Sequence, residues 1–290
     1  MIHLSIGDCL DVMRQMNTDS VDLVFGSPPY EDARTYGIDS RLKGQEWVDW
    51  MAVRVIEAVR VCRGLVALVV EGRTRQFRWS ATPALLMADL HRAGIHLRKP
   101  PAYRRVGIPG SGGPDWLRND YEFIVCATSG GKLPWSDNTA MGHPPKYGVG
   151  GAMSNRHQDG QRKNNQLTKV QTRRKANGVR VRDGKYKAPT LANPGNVIDC
   201  GAVGGGNIGS KLAHENEAPF PESLAEFFIR SFCPPGGTVL DPFVGSGTVP
   251  AMAEKFGRHS IGIEIRQSQI DLTIRRLAED PLLVNQEASP

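Results

Sequence analysis

Long apolar runs are missing from this 290-residue chain. The longest run, residues 65–70, is far shorter than the roughly 20 apolar residues that a membrane-spanning helix needs. The first five residues contain neither a basic leader nor the apolar core of a secretion signal. We therefore expect a cytoplasmic protein that makes no contact with a membrane.

Cysteine is scarce, and its spacing argues against two kinds of stabilising site. No CxxC pair occurs, and an odd number of widely separated cysteines is atypical of both zinc sites and disulfide frameworks. This pattern favours a reducing compartment and predicts that the chain binds no metal. No flanking residues mark one of the cysteines as a nucleophile. The five are Cys9, Cys62, Cys126, Cys200 and Cys233.

Acidic residues are nearly absent from one stretch, which concentrates the positive charge of the chain. The net charge is +6, but residues 131–187 hold 13 Lys and Arg against 3 Asp and Glu, so this basic segment carries +10 and the remainder −4. The asymmetry predicts a polyanionic partner, most often nucleic acid, with a solvated loop as the alternative. The cations expected to neutralise phosphates are Arg173, Arg174, Lys175, Arg180, Arg182, Lys185 and Lys187.

Apolar stretches and helix-like patterns alternate on both sides of the basic segment. Strands are predicted at residues 2–6, 21–26, 64–70, 121–127, 238–241 and 259–265. Helices are predicted between them, for example at residues 45–61 and at 268–278, where Ile270, Ile274 and Leu277 share one face. Apolar strands separated by helices predict an α/β fold whose parallel sheet is covered on both faces. The basic segment would interrupt this single sheet.

The tetrapeptide Ser27-Pro28-Pro29-Tyr30 directly follows the second predicted strand. It therefore lies at the carboxyl end of a strand, where open α/β sheets bind their ligands. The two prolines stiffen the backbone and expose carbonyl groups. A planar ring beside such acceptors suits a flat substrate that carries an amino group, such as a nucleobase. A stiff turn is the alternative interpretation of this SPPY tetrapeptide, and a matching cofactor site would decide between them.

A second motif, the glycine loop at residues 241–248, reads DPFVGSGT between a predicted strand and a predicted helix. Gly245 and Gly247 allow a tight turn and the close approach of a ligand. Glu264, 19 residues after Gly245, ends the next strand, where an acid can accept hydrogen bonds from ribose hydroxyl groups. A third glycine for a pyrophosphate turn is missing, so a nucleoside cofactor without phosphates fits better than NAD. S-adenosylmethionine (SAM) is the candidate, and a simple strand-to-helix turn is the alternative.

Together these residues resemble the DNA amino-methyltransferases, which modify N4 of cytosine or N6 of adenine. The order of the SPPY tetrapeptide, the basic segment and the glycine loop looks like the β class of that family. The resemblance implies a Rossmann-like SAM-dependent methyltransferase sheet with permuted motif order and an inserted basic target-recognition region. It divides the chain into a catalytic half at residues 1–130, a target-recognition insert at 131–213, and a SAM-binding half at 214–290.

The resemblance also implies roles for individual residues. The SPPY tetrapeptide would be catalytic, with the target base stacked on Tyr30. SAM would be the cofactor, with Glu264 at its ribose, Asp8 at its adenine and Phe220 in a stretch that closes over its methionine end. The cofactor-binding residues implied in this way are Asp8, Cys9, Phe220, Asp241, Phe243, Gly245, Gly247, Thr248 and Glu264.

The first letter of the tetrapeptide bears on the target base. Ser27 stands where adenine-specific members of the family more often have Asp or Asn, which favours N4 of cytosine. N6-adenine methylation is the alternative, and a non-catalytic DNA-binding protein on the same scaffold is a rival of a different class. Double-stranded DNA is the expected partner. The sequence leaves open whether the chain forms a homodimer, whether a cognate restriction endonuclease accompanies it, and which DNA sequence it recognises.

Overall fold

The structure, a computed structural model, describes residues 1–32, 41–106, 113–115, 117–145, 190–201, 212, 215 and 219–279. The chain forms two compact units, one of Met1–Ala140 with Gly195–Pro290 and one of Met141–Pro194. In the second unit the described residues are 141–145 and 190–194, where His143 and Ala192 form an antiparallel bridge. The described helices and strands all belong to the first unit.

Most of the described strands of the first unit join one sheet. They are β1 (Ile2–Ile6), β2 (Val21–Gly26), β3 (Cys62–Val70), β4 (Thr74–Arg75), β5 (Arg78–Trp79), β6 (His96–Leu97), β7 (Ala102–Val106), β8 (Tyr121–Thr128), β9 (Val197–Gly201), β10 (Thr238–Asp241) and β11 (His259–Glu264). The order in the sheet is β1-β11-β10-β2-β3-β8-β7-β9, and β6 pairs with β8. The remaining two, β4 and β5, pair with each other as a hairpin.

The sheet is parallel only in part. β1, β11, β10, β2 and β3 run parallel, whereas β8 runs antiparallel to β3, β6 and β7. β8 is the strand predicted at residues 121–127, so the expectation of a parallel sheet was wrong for this strand, although it holds for the other five predicted strands. Because β7 runs in the direction of β3, the chain enters β8 from the edge at which β3 ends. The apolar pattern of residues 102–106 is too short to have predicted β7, and therefore did not show that the chain runs along the sheet once more before β8.

Helices cover both faces of the sheet. The described helices are α1 (Cys9–Gln15), α2 (Gln45–Val61), α3 (Thr82–Arg92), α4 (Glu222–Phe232), α5 (Thr248–Lys255) and α6 (Gln267–Glu279). Alternate side chains of a strand point to opposite faces, so Val24 of β2 joins an apolar core with α1, α2 and α3, while Leu23 and Phe25 join a second core with α4 and α5. The predicted α/β sheet covered on both faces is confirmed. None of the described helices is long and apolar enough to span a membrane.

Helix α6 buries a different face from the one that its spacing indicated. Ile270 is 7% exposed, as expected, but Ile274 is 52% exposed, whereas Thr273 and Arg276 are fully buried. The reason is local, because Thr273 and Arg276 donate hydrogen bonds to carbonyl groups of the glycine loop. A buried carbonyl without a donor is costly, so the loop decides which face of α6 points inward.

Candidate functional site

The two sequence motifs meet at the carboxyl ends of β2 and β10, which are neighbours in the sheet. From β2 the chain crosses to β3 on one side, and from β10 it crosses to β11 on the other. Such a switch point opens a ligand crevice in α/β sheets. Gly26 lies so close to the glycine loop that an added Cβ would be 2.3 Å from Asp241 Oδ1. The SPPY tetrapeptide and the glycine loop therefore form one site, although more than 200 residues separate them.

The SPPY tetrapeptide is held by hydrogen bonds along its length. Ser27 Oγ lies 3.3 Å from the carbonyl oxygen of Val69 and 3.4 Å from Tyr30 Oη. A hydroxyl donates one hydrogen, so these bonds are alternatives, and in either the oxygen keeps a lone pair that can accept from a substrate amine. Trp47 Nε1 donates to the carbonyl oxygen of Pro29 at 2.9 Å, and Trp47 is 1% exposed. The core thus fixes the backbone of the tetrapeptide.

A carboxyl group that the sequence did not single out binds the hydroxyl of Tyr30. This hydroxyl donates to Glu122 Oε2 at 2.6 Å, and Arg105 lies 3.3 Å from the other oxygen of Glu122. Burial, with a smaller contribution from the nearby charge of Glu122, raises the pKa of Glu71 to about 7. Tyr30 is therefore oriented from its hydroxyl end by Glu122.

The glycine loop leads from β10 to α5 through two left-handed residues. Gly245 has φ +50° and Gly247 has φ +79°, a region that residues with a Cβ rarely adopt. A Cβ on Gly247 would also lie 2.7 Å from Thr273 Cγ2. Gly245 N donates to Glu264 Oε2 at 3.1 Å, and Glu264 Oε1 accepts two further backbone N–H groups. Glu264 therefore ties the loop to the end of β11, and its other lone pairs can accept from ligand hydroxyl groups.

A buried arginine supports the glycine loop from the side of α6. Arg276 is fully buried and its Nη1 donates to the carbonyl oxygen of Ser246 at 3.1 Å and to Thr248 Oγ1 at 2.9 Å. Its Nη2 pairs with Glu222 in α4 at 2.6 Å. Thr248, a predicted cofactor contact, is 3% exposed, and its hydroxyl belongs to this network because it accepts from Arg276. In the sequence, the one possible sign of this support is an arginine at a helical position that points towards the core.

Asp241 carries a buried carboxyl group at the centre of the site. It is 1% exposed, and its Oδ1 accepts from Phe243 N at 3.0 Å, while no described residue bonds to Oδ2. Burial, with a smaller contribution from the charge of Glu264, raises the pKa of Asp241 to about 8. A ligand with a positive charge would satisfy Oδ2 and restore the ionised form. With the glycine turn and Glu264, these residues fit a nucleoside that carries an amino-acid group.

The predicted residues at the adenine end lie at the start of α1. Asp8 caps this helix by accepting from Leu10 N at 2.8 Å, and it pairs with Arg54 at 2.6 Å. The guanidinium of Arg54 lies 4.0 Å from the centre of the Trp50 ring. Cys9 is 5% exposed, and burial raises the pKa of its thiol to about 12. A neutral thiol of this kind packs well and is a poor nucleophile.

The two predicted aromatic contacts lie on opposite faces of the sheet. Phe243 packs on the core of α1, α2 and α3, with its ring 6.2 Å from that of Trp50. Phe220 packs on the core of α4 and α5, edge-on to Phe25 at 5.5 Å. The seven cations predicted to contact DNA lie within residues 146–189, outside the described part of the chain.

The similarity to known proteins covers most of the chain. A family model described as DNA methylase matches residues 21–275. The orphan methyltransferase M.BamHII of Bacillus amyloliquefaciens is 28% identical over 280 residues, which cover 94% of this chain and 91% of that protein. The type II methyltransferase M.ScaI of Streptomyces caespitosus is 39% identical over 98 residues, which cover 33% of this chain and only 32% of M.ScaI.

Solved structures share the fold at low sequence identity. The cytosine-N4-specific PvuII DNA methyltransferase matches with a TM-score of 0.67 and 17% identity, covering 97% of this chain and 87% of that one. The Thermus thermophilus protein TTHA0409, in complex with S-adenosyl-L-methionine, matches with a TM-score of 0.59 and 21% identity, covering 97% of each. The family match includes the SPPY tetrapeptide, the basic segment and the glycine loop. The chain therefore belongs to the N6/N4 DNA methylase family.

Proposed function

We propose that this protein transfers a methyl group from SAM to the exocyclic N4 of cytosine in double-stranded DNA. The observation that carries the proposal is the close approach of Gly26, which directly precedes the SPPY tetrapeptide, to Asp241, the first residue of the glycine loop. Methyl transfer requires that a base and a nucleoside cofactor bind side by side. SAM is the methyl donor, in keeping with the family and with the SAM complex of TTHA0409.

The target base binds at the SPPY tetrapeptide. A base inside a duplex cannot reach a crevice at the edge of a sheet, so it is flipped out of the helix. Its ring stacks on Tyr30, whose hydroxyl is held by Glu122. Its amine donates to Ser27 Oγ and to the carbonyl oxygen of Pro28, which turns the nitrogen lone pair towards the methyl group. Pre-organised acceptors of this kind cost no rearrangement during the reaction.

The cofactor binds on the glycine-loop side of the contact. SAM supplies a methyl group on a sulfonium sulfur, whose bond to carbon breaks as the new N–C bond forms, and the amine nitrogen then gives up one proton to solvent. Glu264 accepts from the ribose hydroxyl groups, Asp8 lies at the adenine, and Asp241 Oδ2 accepts from the ammonium. Gly245 and Gly247 let the backbone approach the cofactor. The remaining proposed contacts are Cys9, Phe220, Phe243 and Thr248.

The basic segment supplies the affinity for DNA. Its seven cations between Arg173 and Lys187 contact phosphates, so binding weakens steeply as salt rises. Residues 1–130 and 214–290 form the two halves of the methyltransferase domain, and the insert of residues 131–213 lies between them. Because β9 pairs with β7 in the sheet, we assign recognition to the part of this insert that precedes β9.

The choice of cytosine rests on Ser27 and is supported by the fold neighbour that is named as cytosine-N4-specific. N6-adenine methylation is the second candidate because the family model covers both reactions. The test is to treat unmethylated genomic DNA with the protein and SAM and to sequence the modified bases. N4-methylcytosine in a recurrent sequence supports the proposal. N6-methyladenine would mean that adenine is the target base. DNA binding without either product would refute the proposed enzymatic activity.

A further inference from the structure

A small hairpin follows β3 at the edge of the sheet that carries the proposed base site. Its strands β4 and β5 are joined by a two-residue turn in which Gln76 has φ +47° and Phe77 has φ +63°. Turns that need positive φ at both positions favour Asn-Gly, because other side chains are strained there. Residues held at sparsely populated backbone angles cluster at functional sites. The presence of a phenylalanine at this tip therefore calls for a functional reason.

The tip combines an exposed aromatic ring with positive charge. Phe77 is 70% exposed. Arg75 and Arg78 flank the two-residue turn and lie opposite each other across the hairpin, and both are exposed. Duplex DNA offers a matching partner, because its phosphates attract guanidinium groups and its stacked interior accepts apolar wedges.

The hairpin is attached firmly to the residues that follow the SPPY tetrapeptide. Glu31, which is 4% exposed, accepts from Arg73 N at 3.1 Å. Asp32 pairs with the guanidinium groups of Arg73 at 3.5 Å and Arg75 at 2.5 Å. Trp79 Nε1 donates at 3.2 Å to the carboxyl group that directly follows β3. The tip is therefore carried at a fixed place relative to the proposed base site.

An open cleft of about 290 Å³ lies between the hairpin and these residues. Four cationic side chains line it against two acidic ones, so its charge is complementary to a phosphate backbone. The cations are Lys43, Arg73, Arg75 and Arg78, and the acids are Glu31 and Asp32.

We propose that this hairpin enters the DNA at the target position and that Phe77 fills the space that the flipped base leaves in the duplex. The cations of the hairpin and the cleft bind the adjoining phosphates. This inference rests on the proposed function and adds to it the residue that keeps the base outside the helix. Flipping breaks pairing and stacking, and an apolar ring in the gap restores part of the lost stacking.

The experiment measures methyl transfer by the full chain on two synthetic duplexes that contain the recognised sequence. In one the target base is paired, and in the other an abasic site lies opposite it, so that less pairing has to be broken. The variants are Phe77→Ala, which removes the wedge, and Phe77→Leu, which keeps an apolar one. The control is Ile56→Ala, because Ile56 is an apolar residue of α2 that is 39% exposed.

We expect Phe77→Ala to lower kcat/KM on the paired duplex by about 10-fold or more and on the abasic duplex by less than about 2-fold, because an unpaired base is cheap to flip. Phe77→Leu should lie between wild type and Phe77→Ala, and Ile56→Ala should equal wild type on both duplexes. Equal losses of Phe77→Ala on the two duplexes, or no loss on the paired one, would overturn the inference. Failure of the wild-type protein on both duplexes would overturn the proposed function and this inference with it.

Discussion

The buried carboxyl group of Asp241 makes the stability of this protein depend on pH in an unusual direction. Most carboxylates stabilise a folded protein in their charged form, but burial raises the pKa of Asp241 from 3.8 to about 8. The folded state therefore holds a proton that the unfolded state has already released between these two values. By linkage, the stability that comes from this group is complete below pH 4 and is lost as the pH rises towards 8.

The size of the effect follows from the size of the shift. One proton bound only in the folded state changes the free energy of unfolding by about 1.4 kcal/mol per pH unit. Between pH 5.5 and pH 7.5 the contribution of Asp241 should therefore fall by about 3 kcal/mol. Solvent does not screen this group, since the side chain is 1% exposed. The variant Asp241→Asn resembles the protonated form and cannot titrate, so it should lack this loss.

The assay is urea unfolding of wild type and Asp241→Asn at several pH values in this range. The difference in the free energy of unfolding isolates Asp241, because the other titrating groups, including Glu71 with its raised pKa, are shared. Asp11→Asn is the control, since the side chain of Asp11 is 71% exposed. If wild type and Asp241→Asn showed parallel pH profiles, the folded protein would hold Asp241 ionised and the argument would be wrong.

The same carboxyl group gives a second measurement through cofactor binding. The ammonium of SAM, placed near Asp241, would lower its raised pKa because an opposite charge favours the ionised form. Binding should therefore release a proton between pH 5 and pH 8. Calorimetry of SAM binding in buffers with different ionisation enthalpies measures this release, and Asp241→Asn should abolish it. A binding heat that is independent of the buffer would contradict the contact with Asp241.

Three further substitutions test the site. Tyr30→Ala should weaken productive DNA binding by about 1–3 kcal/mol because base stacking is lost, whereas Tyr30→Phe should keep most of it; equal kinetics for the two variants would exclude stacking. Arg276→Met should lower the free energy of unfolding by about 3–5 kcal/mol because it breaks an ion pair whose arginine is fully buried. Arg275→Met, whose ion pair is half-exposed, should cost about 0–1 kcal/mol; similar losses in urea unfolding would refute the network. Gly247→Ala and Gly257→Ala both carry the strain of positive φ, but only at Gly247 would the new Cβ meet another residue, so calorimetry should find weaker SAM binding for Gly247→Ala alone.

The sequence determined those parts of the fold whose pattern is local. The helix predicted at residues 45–61 is α2, Gln45–Val61, because its apolar spacing matches one helical face. The strand predicted at residues 21–26 is β2, because neighbouring apolar side chains of a strand point to the separate cores on the two faces of the sheet. The turn at Gly245 and Gly247 was also predictable, since glycine adopts a left-handed backbone at little cost. The presence of both motifs, and hence the family, follows from the same residues.

Only the tertiary structure decided which distant groups meet. The approach of Gly26 to Asp241, the bond of Tyr30 to Glu122 and the hold of Arg276 on the glycine loop join residues far apart in the chain. The direction of β8 and the place of the hairpin beside the SPPY tetrapeptide depend on contacts of the same kind. Periodicity indicates the buried face where the apolar spacing of one segment decides it, as in α2, but in α6 the distant glycine loop decided which face points inward. An ion pair or a strand pair depends on two segments at once. Such contacts cannot be inferred from either segment alone and are seen only when the sheet brings the two together.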